Sequence, residues 1–359
     1  MKDHAPALRR LEALCWHRLP AKEDEVRLDC DVAQSITNLF LRRGVRMKGP
    51  LLPEQQKSEM RKRVAASTSL GEAIPAVVQF GGSKTAQYCP YPDPDLAEWM
   101  AMEQLARICG EVQRLYPPGI QVQLILADEF YAHVFGADET IEPYCGGMEA
   151  MLGSIGLDFI RPVRLRDLVR AANPEAVELS YQRNREILER YWRTGDQRAW
   201  ADLENAGWKG KLPLEQREHY LARAGHVLTK KRFEKARLDV EAESAVLRFL
   251  AYALVIAQYD LAGRRNPRML DLSFVPRSPG EPRDLFKKFY IAPCPPGGSG
   301  KSAPPWTAQG MLLLPDFQPS LCTAADIEDG RYVPVQELTI EIDGCRLRAD
   351  LFQKAGESG

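Results

Sequence analysis

The run Ile120-Gln121-Val122-Gln123-Leu124-Ile125-Leu126 alternates apolar and polar residues and then turns wholly apolar, as a strand covered on both faces does. It follows an amphipathic stretch, 95–115, in which Leu96, Met100, Leu105, Ile108, Val112 and Leu115 recur at helical spacing. That stretch follows a shorter β-rich run, Ala76-Val77-Val78-Gln79-Phe80. Strand, helix and strand in this order predict an α/β fold with a sheet flanked by helices. Tyr116-Pro117-Pro118-Gly119 stops the helix abruptly. Helical patterns over 144–155 and 165–172, with a short strand over 158–162, continue the alternation. The expected architecture is a Rossmann-like mixed sheet flanked by helices, with a helical insertion and a C-terminal β-rich segment.

Four regions follow from the same patterning. Residues 1–70 form an N-terminal helical segment, with a helix over 30–43 carried by Val32, Ile36, Leu39 and Phe40. Residues 71–173 are the first half of the α/β core. Residues 174–262 are helical and charged, with Trp192, Trp200, Leu203 and Trp208 as apolar anchors. Residues 263–359 complete the core with strands over 269–275 and 289–292, a Pro/Gly/Ser-rich loop over 293–305, and a hairpin over 333–351 turning at Asp343-Gly344. The longest apolar run, 249–258, falls well short of the roughly 20 residues that cross a bilayer, and reads as a buried helix.

Charge narrows the choice of partners. With 48 basic and 49 acidic residues the formal net charge is -1, so neither nucleic acid nor an anionic membrane is an expected partner. The 8 cysteines are dispersed, with no CxxC pair and no Cys/His cluster, which gives a metal site no support and fits a reduced set. Residues 1–27 lack the continuous apolar core of a signal peptide, so a cytoplasmic location is expected.

Several groups could carry chemistry. Gly81-Gly82-Ser83-Lys84 offers backbone amides, a hydroxyl and an ammonium, suited to a phosphate or a carboxylate, although a plain turn with a solvated lysine reads equally from it. Asp128 and Glu129 close an apolar strand, where open α/β sheets place their ligands. On extended backbone the two would point opposite ways, and Asp128 is the preferred general base, with loop capping as its alternative. Lys230, Lys231, Arg232, Lys235 and Arg237 concentrate positive charge on a predicted helix; Lys231 and Arg232 are candidates for a phosphate, and a solvated face is the alternative. His133 lies four residues after Glu129, but a third metal ligand is missing. Trp306, between Pro305 and Thr307, either walls a pocket or anchors its loop. The chain carries no GxSxG elbow and no GxGxxG fingerprint.

In order along the chain, these features resemble the isonitrile (isocyanide) synthases, the family of pyoverdine and dityrosine biosynthesis proteins. Phe80-Gly-Gly-Ser-Lys84 followed by Pro92-Asp-Pro-Asp-Leu-Ala-Glu98 is similar to that family's Ser-Lys loop and Pro-Asp-x-x-Glu helix start. Leu115-Tyr-Pro-Pro-Gly119 leading to Leu124-Ile-Leu-Ala-Asp128 resembles its YPPG turn and the strand ending in an aspartate. Val134-Phe-Gly-Ala-Asp138 with Tyr144 resembles its short turn and following tyrosine. Leu272-Ser-Phe-Val-Pro276, then Lys287 or Lys288, then Pro305-Trp306, resembles its later strand, lysine and Pro-Trp pair.

The resemblance, spread over about residues 75–315, implies an enzyme of secondary metabolism that needs neither metal nor nicotinamide. The α-amine of an amino acid condenses with the ketone of ribulose 5-phosphate, and one sugar carbon remains as the isonitrile carbon. Taken with the groups named above, the candidate catalytic residues are Asp128, Lys84 and Glu129, and the candidate substrate-binding residues are Ser83, Tyr144, Lys231, Arg232, Ser273, Lys288 and Trp306. The partners implied are small molecules, an amino acid and a sugar phosphate, with a homodimer as an open state of assembly. Four positions depart from the family pattern: Asp271 replaces an arginine, Val275 and Thr307 replace histidines, and Glu129 replaces a glycine. Reversing the charge at the position of the family's arginine bears directly on the substrate. A same-fold enzyme with other carbon-nitrogen chemistry, and a catalytically silent binding protein, are the rival expectations.

Overall fold

The computed structural model describes residues 31–41, 54–84, 91–135, 139–208, 235–274, 289–290, 304–315, 317–342 and 344–356, with the isolated positions 214, 217, 218 and 221. Helix α1 (Val32–Leu41) packs against α2 (Glu54–Thr68) and buries Ile36, Leu39 and Phe40, the residues whose spacing marked it. The strand β1 (Ile74–Phe80) then enters the sheet and leads to α3 (Leu96–Leu115), which is followed by β2 (Ile120–Leu126). Two helices, α4 (Asp128–Phe135) and α5 (Ile141–Ile155), precede β3 (Ile160–Arg164). After β3 come α6 (Leu165–Ala172), α7 (Pro174–Thr194), α8 (Gln197–Asn205) and the long α9 (Lys235–Gln258). The chain returns to the sheet as β4 (Leu270–Ser273) and β5 (Phe289–Tyr290).

The sheet has the order β3-β2-β1-β4-β5, and every neighbouring pair is parallel. The strand alternation sorts the core into two layers. Ile74, Ala76, Val78 and Phe80, with Ile120, Val122, Leu124 and Leu126, face α3 and α5. Val77 and Ile125 face the opposite way, into a cluster with Val177, Leu188, Tyr191, Leu250, Leu254 and Val255 from α7 and α9. The apolar stretch of α9 is therefore the helical cover of the sheet's second face. From β1 the chain moves to β2 on one side, whereas β4 lies on the other. The order of connection thus reverses between β1 and β4, and in sheets of this kind the crevice at the carboxyl ends of those strands takes the ligand.

A second sheet, of order β7-β6-β11-β8, supplies the C-terminal β-rich segment: β6 (Gln309–Leu313), β7 (Gln318–Cys322), β8 (Tyr332–Gln336) and β11 (Asp350–Lys354). Its β6–β11 pair is parallel and the other pairs are antiparallel. The short helix α10 (Ala324–Glu328) joins β7 to β8. The hairpin expected at 343–344 is present, with arms β9 (Thr339–Ile342) and β10 (Cys345–Arg348) and Gly344 at φ 73° in the turn. It is shorter than its sequence pattern, because the flanking residues pair in the second sheet instead. Among the described residues no helix is long and apolar enough to cross a membrane.

Candidate active site

The site builds outward from the carboxyl ends of β1, β2, β3 and β4. After β1 the chain passes through Gly81 and Gly82, and both positions exclude a side chain. A Cβ on Gly81 would overlap the Trp306 ring, and one on Gly82 would overlap the Ala127 carbonyl at the end of β2. The glycines therefore let this loop approach its own protein. Trp306 is buried, with its ring 4.8 Å from that of Phe80, which in turn meets Phe274 edge-on at 5.7 Å. Of the two sequence readings of this tryptophan, its burial fits the loop anchor.

The loop delivers Lys84 into a closed ionic cluster. Its Nζ donates to Glu98 Oε2 at 2.6 Å and to the Pro305 carbonyl at 3.2 Å, and lies 3.0 Å from Asp95 Oδ1. The side chains of Lys84 and Glu98 are 0% exposed and that of Asp95 is 1% exposed. The sequence alternative of a solvated lysine is thereby corrected. The two carboxylates owe their position to the start of α3. Asp95 accepts the Ala97 amide at 2.7 Å while Glu98 accepts the Asp95 amide at 3.0 Å, a reciprocal capping box. Asp95 also accepts the Gly310 amide at 3.2 Å, and so ties β6 to α3. Tyr144 on α5 donates its hydroxyl to Glu98 Oε1 at 3.0 Å. Ser83 Oγ meets Thr140 Oγ1 at 2.5 Å beside the N-terminus of α5. Burial pushes the Glu98 carboxyl up to about 7 against the pull of the Lys84 ammonium, and burial likewise raises the Tyr144 phenol. Ser83, Lys84, Tyr144 and Trp306 thus meet in one place, a buried junction of β1, α3, α5 and the Pro305–Trp306 turn.

Asp128 and Glu129 form a different group. They do not lie on extended backbone, as the sequence suggested, because α4 begins at Asp128. Asp128 is 2% exposed. Its Oδ1 accepts the Glu129 amide at 2.8 Å and the Arg166 amide at 3.1 Å, which locks β2 to the start of α6. Its Oδ2 lies 3.3 Å from Arg166 Nε and 3.8 Å from Arg164 Nη1, without a hydrogen-bond partner among the described residues. Arg164 is also held by Glu149, through Nε at 2.6 Å and Nη2 at 2.9 Å, and by Glu142 at 3.2 Å. Burial raises the Asp128 carboxyl despite its two backbone donors. The Glu129 side chain is 31% exposed, and its carboxyl is raised by burial and then by the charges of Asp128 and Glu178. It faces His133, whose ring meets those of Tyr181 and Tyr252 at 4.8 and 4.9 Å, the two phenol rings lying 5.8 Å from each other.

At β4, Asp271 is buried opposite Val77, and Arg264 donates to it from Nε to Oδ2 at 2.5 Å. The strand position that reverses charge relative to the family pattern is therefore matched by a guanidinium from the preceding turn. Ser273 is buried at the end of β4 and pairs in register with Tyr290. Lys231, Arg232, Val275 and Lys288 lie outside the described residues. Sequence reasoning did not single out Arg164, Arg166, Arg264, Glu178 or Tyr252 as site residues.

Residues 90–205 match the family described as Pyoverdine/dityrosine biosynthesis protein. That span runs from just before α3 to the end of α8, and so contains Asp95, Glu98, Asp128, Glu129, Tyr144 and the arginines after β3. No curated protein matches the chain. Among solved structures, the crystal structure of the PvcA protein from Pseudomonas aeruginosa superposes with a TM-score of 0.57 at 17% identity, over 89% of this chain and 99% of that one. At that identity the likeness establishes a shared fold.

Proposed function

We propose, for a chain that is a divergent relative of the pyoverdine/dityrosine biosynthesis proteins in sequence and shares its fold with PvcA, an isonitrile synthase-like reaction. In it the amine of an amino acid condenses with the ketone of ribulose 5-phosphate, and one sugar carbon is retained as the isonitrile carbon. The observation that carries this reading is the pair Asp128 and Glu129 at the carboxyl end of β2, beside the point where the sheet order reverses, with both carboxyls raised by burial.

Within it the residues divide by accessibility. Glu129, partly open to solvent, takes the proton that frees the amine. Asp128 is enclosed and holds α6 and its two arginines in place. Lys84, Tyr144 and Ser83 position the loop after β1 rather than touch substrate, because their polar atoms already have partners inside the protein. The sugar phosphate falls to the basic groups Lys231, Arg232 and Lys288, with Ser273 at the end of β4. Incubation with a pool of amino acids, with and without ribulose 5-phosphate, tests this by mass spectrometry. One amino acid should be depleted only when the sugar phosphate is present; depletion of none refutes the reading.

A second reading, a same-fold enzyme with different carbon-nitrogen chemistry, is favoured by the Asp271–Arg264 pair. It predicts consumption of an amine together with the sugar phosphate and a product that is not an isonitrile.

A further inference from the structure

The proposed reaction sets a demand that Glu129 alone does not meet. An α-ammonium carries several N–H protons and an isonitrile nitrogen carries none, so a base that takes one proton must be discharged before it takes the next. An amine lying against Glu129 also covers the side of the carboxyl that meets solvent. The discharged proton needs a second route, and α4 supplies one.

His133 stands one turn beyond Glu129, with its Nδ1 4.0 Å from Glu129 Oε1. Its other ring nitrogen, Nε2, lies 3.1 Å from Oε2 of Glu178 on α7. A carboxylate only accepts, so Nε2 carries the ring proton and Nδ1 turns a lone pair toward Glu129. Glu178 is held in turn, because Gln182 donates to its Oε1 at 2.9 Å. Tyr181 of α7 and Tyr252 of α9 pack edge-on or tilted against the ring. A carboxylate placed in this way orients an imidazole and stabilises the imidazolium once it forms. The 4.0 Å gap closes through one water or a rotamer change of Glu129, whose side chain is 31% exposed.

The charged groups on every side favour the transfer. Burial lowers the His133 imidazole, Glu178 opposes this, and Arg248 of α9 adds to it. Burial, then the charges of Asp128 and Glu178, raise the Glu129 carboxyl against the pull of Arg170 and Arg166 from α6. The two shifts bring an acid and a base of ordinarily different strength toward each other, so a proton passes between them at small cost.

We propose that His133 is the proton acceptor that discharges Glu129, with Glu178 as the residue that positions it. The proposal rests on the proposed reaction, in which Glu129 takes the amine proton. Glu129 passes that proton to His133 Nδ1 and returns to its carboxylate, while Nε2–H stays on Glu178. The imidazolium, 22% exposed, then gives the Nδ1 proton to water, and both groups regain their starting state.

The test follows depletion of the amino acid in the presence of ribulose 5-phosphate by the wild-type chain, His133→Gln and Glu178→Gln, each checked for unaltered thermal unfolding. His133→Gln should lower kcat by about 100-fold, the lower end of what a placed acid–base group contributes, and leave KM unchanged. Added imidazole should restore part of that rate, and none of the rate lost in Glu129→Gln. Glu178→Gln should lower kcat by a smaller factor and, in nitrogen-15 NMR, move the His133 pKa further down, since the carboxylate that supports the imidazolium is gone. A wild-type kcat in His133→Gln, or a loss that imidazole does not relieve, overturns the proposal and leaves the reaction standing. If His133→Gln does not fold, an unchanged kcat and an unchanged His133 pKa in Glu178→Gln overturn it instead. A wild-type chain that depletes no amino acid removes the reaction itself, and this role with it.

Discussion

Replacing Lys84 by methionine separates a positioning role from a catalytic one. The substitution keeps the volume and removes the charge, so Glu98 and Asp95 remain buried with no ammonium between them. Breaking a buried pair by deleting one partner costs about 3–5 kcal/mol, because the remaining charge is uncompensated. The loss should show as a lower urea midpoint with an unchanged slope. Its pH dependence is diagnostic. Burial already raises Glu98 to about 7 from an ordinary 4.5, so in the native protein this group's contribution favours folding below the unfolded value and fades as pH rises through about 7. Without the lysine the carboxyl binds its proton more tightly still. The deficit of Lys84→Met should therefore be smallest near pH 5 and grow between pH 6 and 8. Adding Glu98→Gln should recover part of it at pH 8, since the double variant buries one charge fewer. A Lys84→Met protein with wild-type stability across this range and no activity would refute the positioning role and return Lys84 to the chemistry.

The other expectations concern single contacts. Arg264→Ala leaves Asp271 buried without its guanidinium and should destabilise by about 3–5 kcal/mol in denaturant titration. Gly82→Ala should cost about 1–3 kcal/mol, because its Cβ meets the Ala127 carbonyl, which is backbone and yields poorly; a neutral result in thermal unfolding contradicts the close approach. A base acts in its ionised form, so the proposed role of Glu129 predicts that kcat/KM rises with pH through a value above the ordinary 4.5, and that Glu129→Gln abolishes that limb of the profile.

The fold was legible where burial imposes a period. β2 matches its sequence pattern from Ile120 to Leu126 because its alternating residues enter two different core layers. β1 starts two residues before the run that marked it. Pro75 hides that start, although it sits beyond the stretch 76–78 that pairs with β4 and so removes no donor from that ladder. β6 was not legible at all: its five residues are all buried, so nothing alternates, and of its two partners, β7 and β11, the second lies about forty residues downstream. The site divides in the same way. Asp128 and Glu129 are readable because they end an apolar strand, but their true neighbours, Arg164, Arg166, Glu178 and Tyr252, come from β3, α6, α7 and α9, and only packing brings these together. Lys84 looked like a ligand-binding lysine because its partners, Asp95 and Glu98, stand beyond an intervening loop, where they also read as the opening of a helix.

Isonitrile formation itself is measured by incubating the full chain with the amino acid it depletes and ribulose 5-phosphate carrying carbon-13 at the ketone, then following the product by mass spectrometry. The wild-type protein should form an isonitrile heavier by one labelled carbon, and Glu129→Gln should lose it. A folded protein that forms no labelled isonitrile would refute the proposed reaction, and one that forms it equally well without Glu129 would refute that residue's role.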